Sequence, residues 1–587
     1  MKLHLTALLV SGLLPLPLAA QDDASPQANQ PAATNGAKSE FGSPLVVNGE
    51  RIPDAEIKRA LVYGPGRALL DVRKIEILME QELELREAMG EDVSVFALSD
   101  EEFQRVYDQE IAEFQERYPM LDLETEIERA YRTREWYVRQ LRQTLAFDKL
   151  FFPGEPNSWP EMTKEAIHAG AAYGQEPGVQ VVDLVEDAQK AYERRKEFAE
   201  ENGVPMQPED DMFLGLIRDY VIQSLESLVS IQTAADGLPP ELAMVVEGGG
   251  FRKEVATDEI YAQAKSAFTQ RDLADTRLFL ALARATADAL DKEGVLVSEE
   301  EHRAKVAELT ADLKYTMFNI DFLALQGHQF PSMEAYKEYL RLLESFRAKM
   351  EPQMAPMPDG GLSPVLREHL NIANRVMGLA KADAEIILVS AYDFLNDRWK
   401  DRGWEWAEQE AARLKKEIDD HLDELIEYEK LRAEAAKRGE NLSGPEPLAF
   451  DRYWGEMLDL HSEFWDPPMP ATGRPISHVG MTFKGRFGEN TRNDLERAIS
   501  ESPYYQLLTN RSIVDTIFFD MEPGSVAGPF EGPEGYYIVY LRRRSAVTNP
   551  LRPSEPKHVE LLREDWLRRE FITYAHKALE MAEVKGL

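Results

Sequence analysis

The sequence predicts an α+β protein that is predominantly helical. Long stretches, such as LLDVRKIEILMEQELELREAM from Leu69 and DTRLFLALARATADALDKEG from Asp275, repeat their apolar residues with helical period. Short apolar runs, such as KADAEIILVSAY from Lys381, are typical of strands. Hydrophobic residues make up 43% of the chain and charged residues 29%, which is enough apolar material for ordinary cores.

Composition excludes several kinds of function. At 587 residues the chain is long enough for three or four domains. Its 67 Lys and Arg face 105 Asp and Glu, and the net charge of -38 disfavours nucleic-acid binding. There is no cysteine, so disulfides, thiolate metal sites and cysteine nucleophiles are impossible. HExxH, P-loop and GxSxG strings are missing as well, and we expect neither a metal nor a cofactor.

The first 20 residues read as a secretory signal peptide. Lys2 precedes an apolar stretch from Leu3 to Leu18, and small residues follow at Ala19 and Ala20. An uncleaved anchor is the alternative interpretation. We expect cleavage near Ala20, a periplasmic or secreted location and no integral membrane span after cleavage. Residues 21–44 are rich in Gln, Ala, Pro, Asn, Ser and Gly, a composition that predicts a flexible linker.

A faint internal repeat predicts a duplicated helical module. Val46 and Val47 match Val245 and Val246, the capping box of Ser99 and Glu102 matches that of Ser298 and Glu301, and the helix from Arg134 matches the helix from Met333. Each pair is separated by 199 residues, as from 46 to 245. We therefore expect modules at 45–160 and 241–380, with a helical insertion at 161–240.

The last third of the chain reads as a separate α+β domain at 381–545. The order is a strand, a long helix from Glu405, a second helix from Leu448, a strand from Val479, a short helix and a final pair of strands. We expect the segment from Phe519 to Tyr540 to close a small mixed sheet against the strand that contains Leu388. Residues 546–587 should form a linker and an amphipathic helix, with an apolar face made by Leu562, Trp566, Leu567, Phe571 and Ala575.

Two stretches carry a resemblance to a known family. The first is VVNGERIPDAEIKRAL from Val46, and the second is the closing pattern made by Phe519, Pro523, Gly524, Gly528, Pro529, Gly535 and Tyr536. The chain resembles SurA-like periplasmic chaperones and parvulin-type (PpiC) peptidyl-prolyl cis–trans isomerases over roughly residues 45–150 and 380–545. The resemblance implies SurA-N-like helical modules, a parvulin-like domain at 381–545, and a C-terminal helix that packs back onto the N-terminal module.

The resemblance also implies where chemistry would take place. The two histidines at the base of a parvulin pocket fall on Ile386 and Tyr537, so both catalytic positions are substituted. The Met and Phe of the pocket wall fall near Asn510 and Val514. Candidate substrate-binding residues are Met481, Phe483, Phe518 and Phe519, although each of these is also a natural core residue.

Three functions remain open at this point. The first is an exported chaperone that binds unfolded or extended polypeptides, with weak or lost isomerase catalysis. Its partners would be unfolded or proline-containing polypeptides, outer-membrane or secreted proteins among them. The second is an active peptidyl-prolyl cis–trans isomerase, and the third is a non-catalytic scaffold of the cell envelope.

Overall fold

The structure is a computed structural model. It describes residues 39–117, 123–124, 127, 132–151, 218, 221–222, 225–226, 228–304, 330–358, 360–377, 380–393, 398–400, 402–439, 445–464 and 485–587. The predicted signal peptide, most of the predicted linker and insertion, and the candidates Met481 and Phe483 lie outside these ranges. Within them the chain is mostly helical with small antiparallel sheets, so the α+β prediction is confirmed. No helix in the described parts is long and apolar enough to cross a membrane.

The N-terminal region begins with a two-residue hairpin. Asn48 and Gly49 form its turn, and both have positive φ (51° and 84°), the conformation that an Asn-Gly hairpin turn requires. Its elements are β1 (Val46–Val47), β2 (Glu50–Arg51), α1 (Asp54–Tyr63), α2 (Arg67–Ala88), a 3₁₀ turn (Val93–Phe96), α3 (Asp100–Arg117) and α4 (Arg134–Phe151). The predicted capping box starts α3, because the Ser99 amide and hydroxyl donate to Glu102 and the Glu102 amide donates to Ser99.

The next region also places helices after an antiparallel hairpin, which is longer than the first one. Its elements are β3 (Ser230–Gln232), a 3₁₀ turn (Ala234–Asp236), β4 (Leu242–Gly248), β5 (Phe251–Ala256), α5 (Thr257–Ala264), a 3₁₀ turn (Lys265–Ala267), α6 (Gln270–Lys292), α7 (Met333–Met354) and α8 (Pro364–Met377). The second capping box, between Ser298 and Glu301, is also present. One apolar core contains residues of both regions, Ile57 and Phe147 together with Val246 and Ile260.

The C-terminal domain is built on a four-stranded sheet. Its elements are β6 (Ala382–Ser390), β7 (Tyr392–Asp393), β8 (Arg398–Trp399), α9 (Gly403–Lys437), α10 (Phe450–His461), β9 (Arg486–Asn490), α11 (Arg492–Ala498), α12 (Pro503–Thr509), α13 (Ile513–Asp515), a π-helical turn (Thr516–Asp520), β10 (Ser525–Glu531) and β11 (Gly535–Arg544). The strand order is β10–β11–β6–β9. The predicted pairing of the closing segment with the strand of Leu388 is therefore confirmed, since Leu388 lies opposite Tyr537.

Two details of that prediction are wrong. The sheet is antiparallel throughout and not mixed, because β10 and β11 are joined by a tight turn and β11 runs opposite to β6. Phe519 lies in the π-helical turn and not in a strand. Both faces of the sheet are covered, with α9 and α10 packing on the face of Ile387 and Ile538, and α11, α13 and the π-helical turn packing on the face of Ile386.

The chain ends with α14 (Pro556–Met581) and β12 (Val584–Lys585). The predicted apolar face of α14 is confirmed, because Leu562, Trp566, Leu567, Phe571 and Ala575 are all buried in a core that they share with α6, α7 and α8. Strand β12 then adds to the first hairpin, pairing with β1. The Arg277 guanidinium holds this junction together by donating to the carbonyls of Phe41, Ser43 and Gly586. The two ends of the described chain are thus joined.

Candidate functional site

Ile386 and Tyr537, the two positions that the sequence resemblance matched to catalytic histidines, are neighbours in space. Ile386 lies opposite Val539 and Tyr537 lies opposite Leu388 on the paired strands β6 and β11. Because side chains alternate along a strand, Ile386 and Tyr537 lie diagonally on the same face of the sheet. Both are fully buried in one apolar cluster. The predicted juxtaposition of these two residues is therefore confirmed.

Packed groups surround Tyr537. The Phe464 ring meets the Tyr537 ring edge-on, with the ring centroids 6.0 Å apart. Gly532 lies against the other side so closely that a Cβ at this position would overlap Cε2 of Tyr537. The Tyr537 hydroxyl is enclosed and makes no hydrogen bond of normal geometry with any described residue. Burial raises the pKa of Tyr537 well above its usual value of 10, so this hydroxyl stays protonated at neutral pH.

Ile386 contributes only apolar surface to this face. Its backbone carbonyl accepts a hydrogen bond from the Ser462 hydroxyl at 3.2 Å. Its side chain has no polar atom and packs with Leu388, Val514 and Val539. The Ile386 side chain therefore offers no hydrogen-bond donor or acceptor on this face of the sheet.

The remaining candidate residues separate into core and surface. Phe518 is fully buried and Val514 packs beside it in the same cluster. Phe519 is only half-buried, and the Arg569 guanidinium lies 5.1 Å from the centre of its ring. Asn510 caps the end of α12 with a positive φ of 53°, and it lines a cavity. The structure therefore places Phe518 in the same cluster as Ile386 and Tyr537, with Phe519 packed against the edge of that cluster. Asn510 lies in the wall of the cavity instead.

Two carboxyl groups near Tyr537 were missed by sequence reasoning. Glu501 is buried, and its carboxylate accepts from the Val514 amide at 3.1 Å and from the Gln506 side chain at 3.3 Å. Burial raises the pKa of Glu501 to about 7, and burial likewise raises the pKa of Glu534 to about 7. The available signal was an acidic residue inside the apolar closing motif, GPEGYYIVY.

A cavity of about 640 Å³ lies between the C-terminal domain and α14. Its wall includes Arg492 from α11, Asp515 from α13, Phe530 from β10, and Arg568 and Arg569 from α14. Arg492 donates to Asp515 at 2.7 Å, and Arg569 donates to the same carboxylate from the opposite side. These ion pairs join the C-terminal helix to the domain across the cavity.

The charged network continues behind the cavity. Asp565 has a fully buried side chain, and it lies 2.7 Å from Nε2 of His369 on α8 and 3.1 Å from Nε of Arg569. Although burial opposes ionisation, these partners hold the pKa of Asp565 well below its usual value of 3.8. Three elements, α8, α13 and α14, are therefore connected through a buried network of polar and charged side chains.

The described residues offer no group of three or more His, Asp or Glu side chains that could hold a metal ion. The chain matches no protein-family model, and no curated protein matches it in sequence.

Proposed function

We propose that this chain is an exported polypeptide-binding folding factor with a parvulin-like domain that does not catalyse prolyl isomerisation efficiently. The proposal keeps a periplasmic or secreted location from the N-terminal sequence. Its partners are unfolded or extended polypeptides, outer-membrane and secreted proteins among them. The duplicated module belongs to the same proposal, supported by the hairpin, short helix and long helix that occur as β1–β2–α1–α2 and again as β4–β5–α5–α6.

One observation carries the proposal. Ile386 and Tyr537 lie side by side on neighbouring strands, at the two positions where the family resemblance calls for histidines, and both are buried. The site is filled by Phe464, Gly532 and Phe518, which pack against or beside the two residues. Among the described residues this space is occupied by packed side chains, and Ile386 offers no polar atom to a twisted amide. The sheet then serves as a scaffold for binding surfaces elsewhere.

Exposed apolar side chains supply such a surface on the N-terminal region. Leu85 at the end of α2 is 41% exposed, and Val95 in the following 3₁₀ turn is 59% exposed. Unfolded polypeptides expose apolar segments, so exposed apolar side chains of this kind favour their capture. The high negative charge keeps the chaperone and its captured clients in solution.

Suppression of aggregation tests this function. The full chain is mixed with a denatured outer-membrane protein, and light scattering is followed after dilution of the denaturant. We expect the full chain to reduce scattering, and the variant Leu85→Ser/Val95→Ser to reduce it less. Leu460→Ser is the matched control, because Leu460 is 76% exposed on α10 in another part of the molecule. Scattering that is unchanged by the full chain would favour a scaffold protein instead.

A further inference from the structure

Four arginines line the cavity between the C-terminal domain and α14: Arg492, Arg511, Arg568 and Arg569. The chain as a whole has 105 acidic residues against 67 basic ones, so this grouping runs against its general charge. A concave site of this volume at the junction of two structural units is the usual setting for ligand binding. A ligand can bind only to those guanidinium groups whose N–H donors are not already used by the protein.

Two of the arginines have their charge balanced by the protein itself. Arg492 is nearly inaccessible and pairs with Glu496 at 2.6 Å and Asp515 at 2.7 Å. Arg569 pairs with Asp515 and with Asp565. These pairs hold the wall of the cavity in place and leave little donor capacity for a ligand.

The other two arginines keep most of their donors. Arg568 has five N–H groups, and its one ion pair among the described residues is a long contact of 3.5 Å to Asp565. Arg511 has its one ion pair with Glu531 at 3.7 Å, and 66% of its side chain is exposed. The Asp565 carboxylate already accepts hydrogen bonds from His369 and Arg569 at shorter distances, so Arg568 is the weakest of its three partners.

We propose that this cavity binds a single carboxylate of an extended polypeptide, with Arg568 and Arg511 as the donors. Pro529, Phe530 and Ile572 on the same wall provide apolar contact for the residue next to the carboxylate. The ligand is therefore a peptide segment that joins one carboxylate to an apolar side chain. The inference rests on the proposed polypeptide-binding function and identifies one subsite for it.

The acidic residues of the wall restrict the charge of the ligand. Asp515, Asp520 and Glu531 also line the cavity, so a dianion meets more repulsion there than a monoanion. A carboxylate is matched to the forked geometry of a guanidinium and carries one charge. The site should accordingly prefer a carboxylate to a phosphate group.

Titration calorimetry with four acetylated hexapeptides of one apolar sequence tests the inference on the full chain. One peptide ends in a free carboxylate, one in an amide, one in an amide with an internal glutamate, and one in an amide with an internal phosphoserine. We expect at least one carboxylate peptide to bind roughly tenfold more tightly than the neutral amide. Comparison of the first and third peptides shows whether the bound carboxylate comes from a chain terminus or from an acidic side chain.

Variants assign the effect to the cavity. Arg511→Gln/Arg568→Gln should reduce the affinity for the carboxylate peptide to that for the amide. Arg511→Gln alone should weaken binding of the carboxylate peptide roughly threefold. Because the Arg511 side chain is exposed, this substitution should not disturb folding. Arg452→Gln is the matched control, since it removes the same charge from an exposed site on α10 and should change nothing.

Equal affinity of the acid and amide peptides, an unaffected double variant, or tightest binding of the phosphopeptide would each overturn the carboxylate subsite. The aggregation experiment separates this failure from failure of the broader function. If the wild-type chain suppresses aggregation while all peptides bind equally or not at all, the subsite alone is wrong. If it suppresses none, the polypeptide-binding function itself is wrong.

Discussion

Replacement of Asp565 by asparagine should loosen the attachment of the C-terminal helix. The carboxylate is fully buried and accepts from two close partners, His369 Nε2 at 2.7 Å and Arg569 Nε at 3.1 Å. Asparagine keeps the shape of the side chain but removes the charge and one acceptor oxygen. The Arg569 guanidinium then loses one of its two carboxylate partners in a partly buried place.

The magnitude follows from the cost of breaking a buried charge pair. Removing one partner from such a pair costs about 3–5 kcal/mol, and a hydrogen bond to a charged group contributes about 1.5–3 kcal/mol. Because asparagine still offers one acceptor and Asp515 still pairs with Arg569, we expect the lower end, about 3 kcal/mol. This corresponds to roughly 100-fold more frequent opening of α14.

Hydrogen exchange measured by mass spectrometry reports this opening directly. Amides of α14 in Asp565→Asn should exchange roughly 100-fold faster than in the wild type at neutral pH. Glu560→Gln is the control on the same helix, and it should change the free energy by less than about 0.5 kcal/mol because Glu560 makes only exposed, long ion pairs.

The pH dependence of this effect has a definite sign. The folded-state pKa of Asp565 is lowered, so its contribution is present above about pH 4 and is lost as the pH falls further. The difference between wild type and Asp565→Asn should shrink accordingly in acid. Exchange rates of α14 that are equal in the two proteins at pH 7 would refute the reasoning.

Three further substitutions test the interior of the C-terminal domain, each by chemical denaturation. The effect of Glu501→Gln on the free energy of unfolding should become more favourable by about 2 kcal/mol between pH 5 and pH 8. The reason is that a folded-state pKa raised to about 7 makes the ionised form of Glu501 costly as the pH rises from about 4.5 to 7, and an equal effect at both pH values would contradict this. Tyr537→Phe should leave the free energy of unfolding unchanged or raise it by about 1 kcal/mol, since the buried hydroxyl makes no hydrogen bond of normal geometry with any described residue. A decrease of about 1 kcal/mol would show that the hydroxyl does have a partner. Gly532→Ala should lower the free energy of unfolding by about 2 kcal/mol, because the added Cβ would overlap Tyr537. Gly455→Ala is the control, because its helical position has open space around it and the free energy of unfolding should not fall.

Local signals in the sequence predicted much of the fold. Apolar residues with helical period identified α9, α10 and α14, and an unbroken apolar run identified β6. Both capping boxes formed as expected, because they depend on residues only three positions apart. Of the strand expected from Val479, the described part is β9 from Arg486, and its Phe487 lies in the core.

What the sequence could not predict depends on distant segments meeting. The core shared by Ile57 and Val246 joins two regions that read as separate modules. The cavity between the C-terminal domain and α14 is lined by residues from 492–531 and from 568–573, and no local sequence pattern predicts that these two segments meet. Phe519 was expected to be in the closing sheet, but its place in a π-helical turn leaves it half-buried under Arg569.

Exchange NMR on a proline-containing peptide tests the central claim most directly. The peptide is titrated with the full chain, and one set of spectra reports both binding and the interconversion of its cis and trans forms. We expect the peptide signals to broaden while interconversion stays at its uncatalysed rate, because Ile386 and Tyr537 provide no usable polar pair. Rapid cis–trans exchange would contradict the loss of catalysis, and signals that stay sharp would contradict polypeptide binding.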